Sequence, residues 1–236
     1  MPYRRLPKTD AARIKAMKTV LDKEDAFSSA SRVVAWKTLS DVQRIYDRFM
    51  GAYLYHNGCK KNQVRHSGDG DDAKSRARMF ISHFIQVLNL AIQRGEIKER
   101  YKSLYGLEEG NYTVPELISG EQILCWGEKI ISGEKERLKH GGVPISNPSI
   151  AKVSVHFDIF KELYSKQKRL QKLTSNSGDD VAQLRAEADA VLLDLWNQVE
   201  AAFRDLPLLE RYQKCQSYGL VYYYRRHEEP IPGLTL

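Results

Sequence analysis

The chain has 236 residues, 42% hydrophobic and 28% charged, a balance that excludes disorder over most of its length. The net charge of +7 is unevenly placed: residues 1–110 carry 21 basic and 13 acidic side chains, the remainder 16 and 17. No apolar run approaches the ~18 residues of a membrane span, the basic start lacks the apolar core of a secretory signal, and the scattered Cys59, Cys125 and Cys215 read as free thiols of a reducing, cytoplasmic protein.

In chain order, Thr9-Asp10 stands before a helical pattern through Ile14, Met17 and Leu21, with threonine as cap and aspartate in the first turn. A loop over 24–36 leads to a long helix over Thr38–Arg65. Its stripe Leu39, Val42, Tyr46, Phe49, Tyr53 and His56 alternates steps of three and four, the spacing of one buried face. Ser67-Gly68-Asp69-Gly70 reads as a break. A third helix carries Ala77, Phe80, Ile81, Phe84, Val87, Leu88 and Ala91, a short helix carries Glu99–Tyr101, and Tyr105-Gly106-Leu107 closes the unit. Asn111–Pro115 is the connector.

The second half follows the same order. Ser119 caps a helix through Ile123, Trp126 and Ile130, and Gly141-Gly142 with Pro144–Pro148 forms a loop. A long helix follows over Ser149–Thr174, with Val153, Phe157, Phe160 and Tyr164 on one face. Ser175–Asp180 reads as a turn, and the next helix carries Leu184, Ala188, Val191, Leu192, Leu195, Val199 and Phe203. Pro207 opens a short helix. The tail Leu220–Tyr224 has strand composition, and Pro230 and Pro232 stop regular structure. A lone strand needs a partner. The connector Asn111–Val114 is the favoured one, giving a two-stranded clasp.

The parallel order reflects an internal repeat. Glu99-Arg100-Tyr101 recurs as Glu210-Arg211-Tyr212 at an offset of 111, which also superimposes Phe49 on Phe160, Tyr53 on Tyr164 and Ala77 on Ala188. Ser67-Gly68-Asp69 recurs as Ser177-Gly178-Asp179, and Tyr105-Gly106-Leu107 as Tyr218-Gly219-Leu220. The expectation is an all-α tandem duplication, with one helical repeat over 1–110 and a second, with its extended tail, over 111–236. Each repeat would be a short helix, two long antiparallel helices and a short helix, packed as a bundle.

Arg4–Arg13, Phe80–Asn89, Trp126–Glu134 and Tyr218–Tyr222 resemble stretches in a family of uncharacterised, all-helical proteins of similar length from Bacteroidetes-type bacteria. The resemblance covers nearly the whole chain and implies no activity, cofactor or catalytic residue.

The sequence carries few motifs of catalysis or ligand binding. Glu-x-x-His and His-Glu-x-x-His are absent, and the acidic turn Asp69-Gly70-Asp71-Asp72 has Phe80 where a calcium loop needs its twelfth-position carboxylate. No phosphate-binding glycine motif and no Gly-x-Ser-x-Gly occurs. No cofactor, metal or catalytic residue is assigned. Two sets of residues remain. Lys60, Lys61, Arg65, Lys74, Arg76 and Arg78 bracket the expected hairpin tip and suit phosphates, with Tyr53, Tyr55 and His56 available to stack on a base. His83 and its repeat counterpart Asp194 are polar positions beside the apolar stripes and suit a pair at a seam between repeats. The favoured function is a non-catalytic interaction or scaffold protein with a protein partner or a second copy of itself. A nucleic-acid binder using the basic first repeat is the alternative, and a ligand-binding protein or enzyme with a pocket at the repeat seam the third reading.

Overall fold

The structure, a computed structural model, describes residues 2–25, 32–228 and 231–234. It is all-α. Among the described residues, strand β1 (Tyr3–Arg4) precedes α1 (Asp10–Asp25), α2 (Trp36–Arg65), α3 (Ser67–Gln93) and a 3-10 helix (Glu99–Tyr105). Then come α4 (Gly120–Lys139), α5 (Ile150–Ala202), α6 (Leu208–Ser217) and β2 (Tyr222–Tyr223). Among the described residues, no helix is long and apolar enough to cross a membrane. Pro230 lies outside the described residues.

Neither expected break is a loop. α5 runs unbroken through Ser175–Asp180, and a single residue, His66 (φ −101°, ψ 4°), separates α2 from α3. The small residues at both places answer a packing need instead. A Cβ on Gly178 would stand 3.1 Å from the His56 ring, and Ser177 meets His56 Nδ1 at 2.9 Å. In the same way a Cβ on Gly70 would stand 3.4 Å from Gln167 Oε1. Glycine and serine let a facing helix approach there.

The chain forms two compact units. The first joins residues 1–60 with 174–236, and the second is 61–173, so the expected boundary at 110/111 falls inside the second. In the first unit the core takes Ile14, Met17 and Val20 from α1, Leu39, Val42, Ile45 and Phe49 from α2, and Ala188, Leu192, Leu195, Trp196 and Val199 from α5. Tyr212, Tyr218, Leu220 and Tyr222 close it. Two fork-to-fork ion pairs tie α1 to α5: Arg13 donates to Asp189 at 2.7 and 2.8 Å, and Arg185 to Asp10 at 2.8 and 2.8 Å. Arg185 thereby holds the Asp10 carboxyl below its ordinary pKa.

In the second unit Ala77, Ile81, Phe84, Ile85 and Leu88 of α3 pack with Ile123 and Ile130 of α4, Val153, Phe157 and Phe160 of α5, and Tyr105. α4 opens with a reciprocal cap, in which Ser119 accepts from Gln122 N while the Gln122 side chain accepts from Ser119 N.

The Tyr-Gly-Leu triplets are helix stops. Gly106 (φ 67°) and Gly219 (φ 81°) turn left-handed after the 3-10 helix and α6, and Leu107 N and Leu220 N bond back to the carbonyls of Lys102 and Cys215. Each stop buries its tyrosine.

The tail does form a two-stranded clasp, but its partner is the amino-terminal arm. β2 pairs antiparallel with β1, Tyr3 opposite Tyr223 and Arg4 opposite Tyr222. The expected partner is already engaged: Lys102 Nζ donates to Asn111 O at 2.9 Å and lies 3.5 Å from the Tyr112 ring centre, and Asn89 donates to Tyr112 O at 3.0 Å. Lys102 is fully buried, so binding these connector groups compensates its desolvation.

Candidate functional site

In the first unit the arm, α1 and the tail enclose a groove of about 620 Å³. Its making starts with small side chains. Ala12, Ala16 and Thr19 lie on the α1 face that meets the tail, and Gly219 turns close enough that a Cβ would sit 3.4 Å from Thr19 and 3.5 Å from the Ala16 carbonyl. Leu6, Pro7, Leu220 and Val221 supply apolar walls, and Tyr223 lines one end with the Arg5 guanidinium 5.4 Å from its ring centre. Three cations, Arg5, Lys8 and Lys15, line the groove, and among the described residues no carboxylate does. An apolar floor under unopposed positive charge suits an acidic, partly apolar ligand.

Each unit also buries a glutamate, Glu24 of α1 in the first and Glu134 of α4 in the second, against a tyrosine of a Tyr-Gly-Leu stop. In the second unit Glu134 is wholly buried. It accepts from the Tyr105 hydroxyl, from Arg137 Nε at 2.8 Å and Nη2 at 2.7 Å, and from Ile145 N at 3.4 Å. Arg137 also donates to the Tyr105 oxygen at 2.9 Å and to Val143 O at 2.8 Å. Burial and then the Glu134 carboxylate push the Tyr105 phenol pKa far up, and the Glu134 bond holds Arg137 charged. Every charge is compensated, so this cluster stabilises the fold.

In the first unit Glu24 is 2% exposed. Its Oε1 accepts from Val33 N at 3.3 Å, but Oε2 has no hydrogen-bond partner among the described residues. Tyr218 lies beside the carboxylate. Burial, then Glu24, push its pKa up to about 12.

The sequence-derived site residues fall as follows. Lys60, Lys61, Arg65, Arg76 and Arg78 are exposed and Lys74 half-buried, and none forms an ion pair among the described residues. They lie along the end of α2 and the start of α3. His83 is exposed in the second unit. Asp194 belongs to the first, where it accepts from Thr38 at 3.0 Å and Gln198 at 3.0 Å, a tie between α2 and α5. The cysteines are free; Cys215 is buried, which raises its thiol pKa. No group of three or more His, Cys, Asp or Glu able to hold a metal occurs among the described residues.

Sequence reasoning missed Glu24, Glu134 and the groove. The signal was present: Glu24 and Glu134 stand four residues after Val20 and Ile130, in line with the buried stripes of α1 and α4. A carboxylate in register with such a stripe marks a buried polar cluster. The groove had none, because it depends on the tail docking to the arm. Compared with family models, with characterised proteins and with solved structures, the chain has no match.

Proposed function

We propose that this chain is a non-catalytic interaction protein whose docking surface is the groove between the arm, α1 and the tail, and whose ligand is an acidic, partly apolar segment of a partner protein. The observation that carries the reading is the lining itself: three cations over an apolar floor, with no carboxylate among the described residues. The absence of an assembled nucleophile, base and orienting group in the sequence supports a binding role over a catalytic one. The test is titration of a fluorescent acidic-apolar decapeptide at two salt concentrations. Binding that weakens with salt, and falls at least about tenfold in Lys8→Glu/Lys15→Glu, supports the groove. No binding by the parent at low salt refutes it. Light scattering with and without peptide shows whether a second copy serves as the partner.

Nucleic acid is the second reading, favoured by the exposed Lys60, Lys61, Arg65, Arg76 and Arg78, which form no ion pair among the described residues. An oligonucleotide that binds the parent, and less tightly with a shallower salt slope after Lys60→Glu/Lys61→Glu/Arg65→Glu, would support it.

The recurring pairs Glu24–Tyr218 and Glu134–Tyr105, the two left-handed glycine stops and the buried counterparts Phe49/Phe160 and Ala77/Ala188 support descent of both halves of the chain from one helical unit. Each compact unit then pairs the opening helix of one half, α1 or α4, with the closing short helix of the other, α6 or the 3-10 helix.

A further inference from the structure

Arg137 has one nitrogen to spare. Its Nε and Nη2 are taken by Tyr105, Glu134 and the Val143 carbonyl, and Nη1 forms no hydrogen bond among the described residues. A guanidinium N–H withdrawn from water needs an acceptor. Nη1 is not sealed in, as the unpartnered indole nitrogen of Trp196 is. The buried Arg137 lines a cavity of about 350 Å³ that lies wholly within the second unit, and Gly142 lines it beside Nη1. A Cβ on Gly142 would stand 2.4 Å from that nitrogen, so glycine is what leaves it uncovered.

The rest of the lining decides which acceptor fits. Arg94 and Glu96 neutralise each other through a forked pair at 2.6 and 3.0 Å, Glu134 already neutralises Arg137, and His140 faces Glu136 at 3.9 Å. Lys98 is exposed and forms no ion pair among the described residues, so it is the cavity's unopposed cation. α3 and α4 both end beside the cavity, at Gln93 and Lys139, and the carbonyl ends of helices oppose a second negative charge. The balance suits a monoanion rather than a phosphate dianion. Val87, Ala91, Ile97 and Pro144 give apolar wall, and the Tyr101 ring, 6.3 Å from the His140 ring between centres, gives an aromatic one. Such a volume falls at the small end of ligand sites, which run from about 300 to 1,000 Å³.

We propose that this cavity binds a monocarboxylate with an apolar body, the carboxylate on Arg137 Nη1 and Lys98 and the body against the apolar wall and the Tyr101 ring. A free small acid and the C-terminal residue of a peptide both carry that chemistry. The site shares no lining residue with the basic groove and does not depend on it.

The experiment titrates the full-length protein with benzoate, its neutral isostere benzamide, phenyl phosphate and N-acetyl-glycyl-phenylalanine, read by the Gly142 amide and Arg137 Nε–H NMR shifts and by calorimetry. Saturable binding of benzoate is expected, at least about tenfold tighter than benzamide, because a charged acceptor makes the stronger bond to a guanidinium, and tighter than phenyl phosphate. Gly142→Ala, which covers Nη1, should weaken it at least about tenfold. Lys98→Glu, an exposed substitution, should weaken it at least about threefold. Circular dichroism and the melting temperature check the fold of both variants, and if Gly142→Ala does not fold, Lys98→Glu and the ligand series decide. Binding of the peptide at least as tight as benzoate identifies a chain terminus, and binding of benzoate alone identifies a free small acid. The proposal is overturned if neither carboxylate binds, if benzamide or phenyl phosphate binds as tightly as the carboxylate, or if either folded variant binds as the parent does.

Discussion

Replacing Arg137 by methionine should destabilise the second unit more than any surface substitution. Methionine keeps much of the side-chain length and apolar bulk, so the perturbation is the loss of one charge and four hydrogen bonds: 2.9 Å to Tyr105, 2.8 and 2.7 Å to Glu134, and 2.8 Å to Val143 O. The Arg137 and Glu134 side chains are 3% and 0% exposed, so water cannot take over the carboxylate. Removing one partner of a buried ion pair costs about 3–5 kcal/mol, mostly from the charge left behind. Unfolding entropy is ~2.1 cal/mol/K per residue. For 236 residues melting together, a loss of about 4 kcal/mol lowers Tm by about 8 °C. If residues 61–173 melt alone, half the chain carries the entropy and the shift roughly doubles. Calorimetry gives the size of the shift and whether one transition or two moves. Tyr105→Phe/Glu134→Leu/Arg137→Met, which removes the whole cluster, should recover about half the loss. An Arg137→Met protein within about 1 kcal/mol of the parent would refute the buried pair.

On the alkaline side, Tyr105, Tyr218 and Tyr222 all have raised pKa values, Tyr218 about 12, against an ordinary value near 10 in the unfolded chain. Because folding favours the neutral phenol, stability should be level below pH about 10 and fall as pH rises through about 12. Urea midpoints and tyrosinate absorbance check this, and complete ionisation of all 13 tyrosines without unfolding would contradict it. Deleting residues 219–236 removes Leu220 and Tyr222 from the first core, together with the Tyr222 bond to Glu200 at 2.7 Å, and should lower Tm by several degrees. Deleting the arm residues 2–7 should lower it less, and a tail deletion with unchanged Tm would show that the clasp contributes nothing.

The helices were legible because their apolar residues recur every three or four positions: Leu39, Val42 and Phe49 are buried, as are Ala77, Ile81, Phe84 and Leu88. The Tyr-Gly-Leu stops were legible because a left-handed residue favours glycine. Ser67–Gly70 and Ser175–Asp180 misled because the same small residues serve a turn and a close helix approach, and only the facing His56 and Gln167 distinguish the two. The clasp partner was not readable, since composition marks Asn111–Val114 as strand-like but does not show Lys102 and Asn89 occupying its carbonyls. Of the candidate residues, Lys60, Lys61, Arg65, Arg76 and Arg78 are exposed and Lys74 is half-buried, and Asp194 bonds within its own unit to Thr38.

The order of segments has a consequence for synthesis on the ribosome. The second unit is one continuous stretch, 61–173, whereas the first is divided around it, 1–60 with 174–236. During vectorial synthesis the second unit can mature as soon as its last helix emerges. The amino-terminal residues must wait with Met17, Val42 and Phe49 uncovered until α5 is finished and α6 arrives. A nascent chain halted near residue 173 would therefore carry one finished unit and one bare apolar helix pair, the kind of surface that chaperones hold. Circular permutants that open the chain at the exposed turn Glu108–Gly110 would redistribute this waiting time without cutting beside a packed side chain.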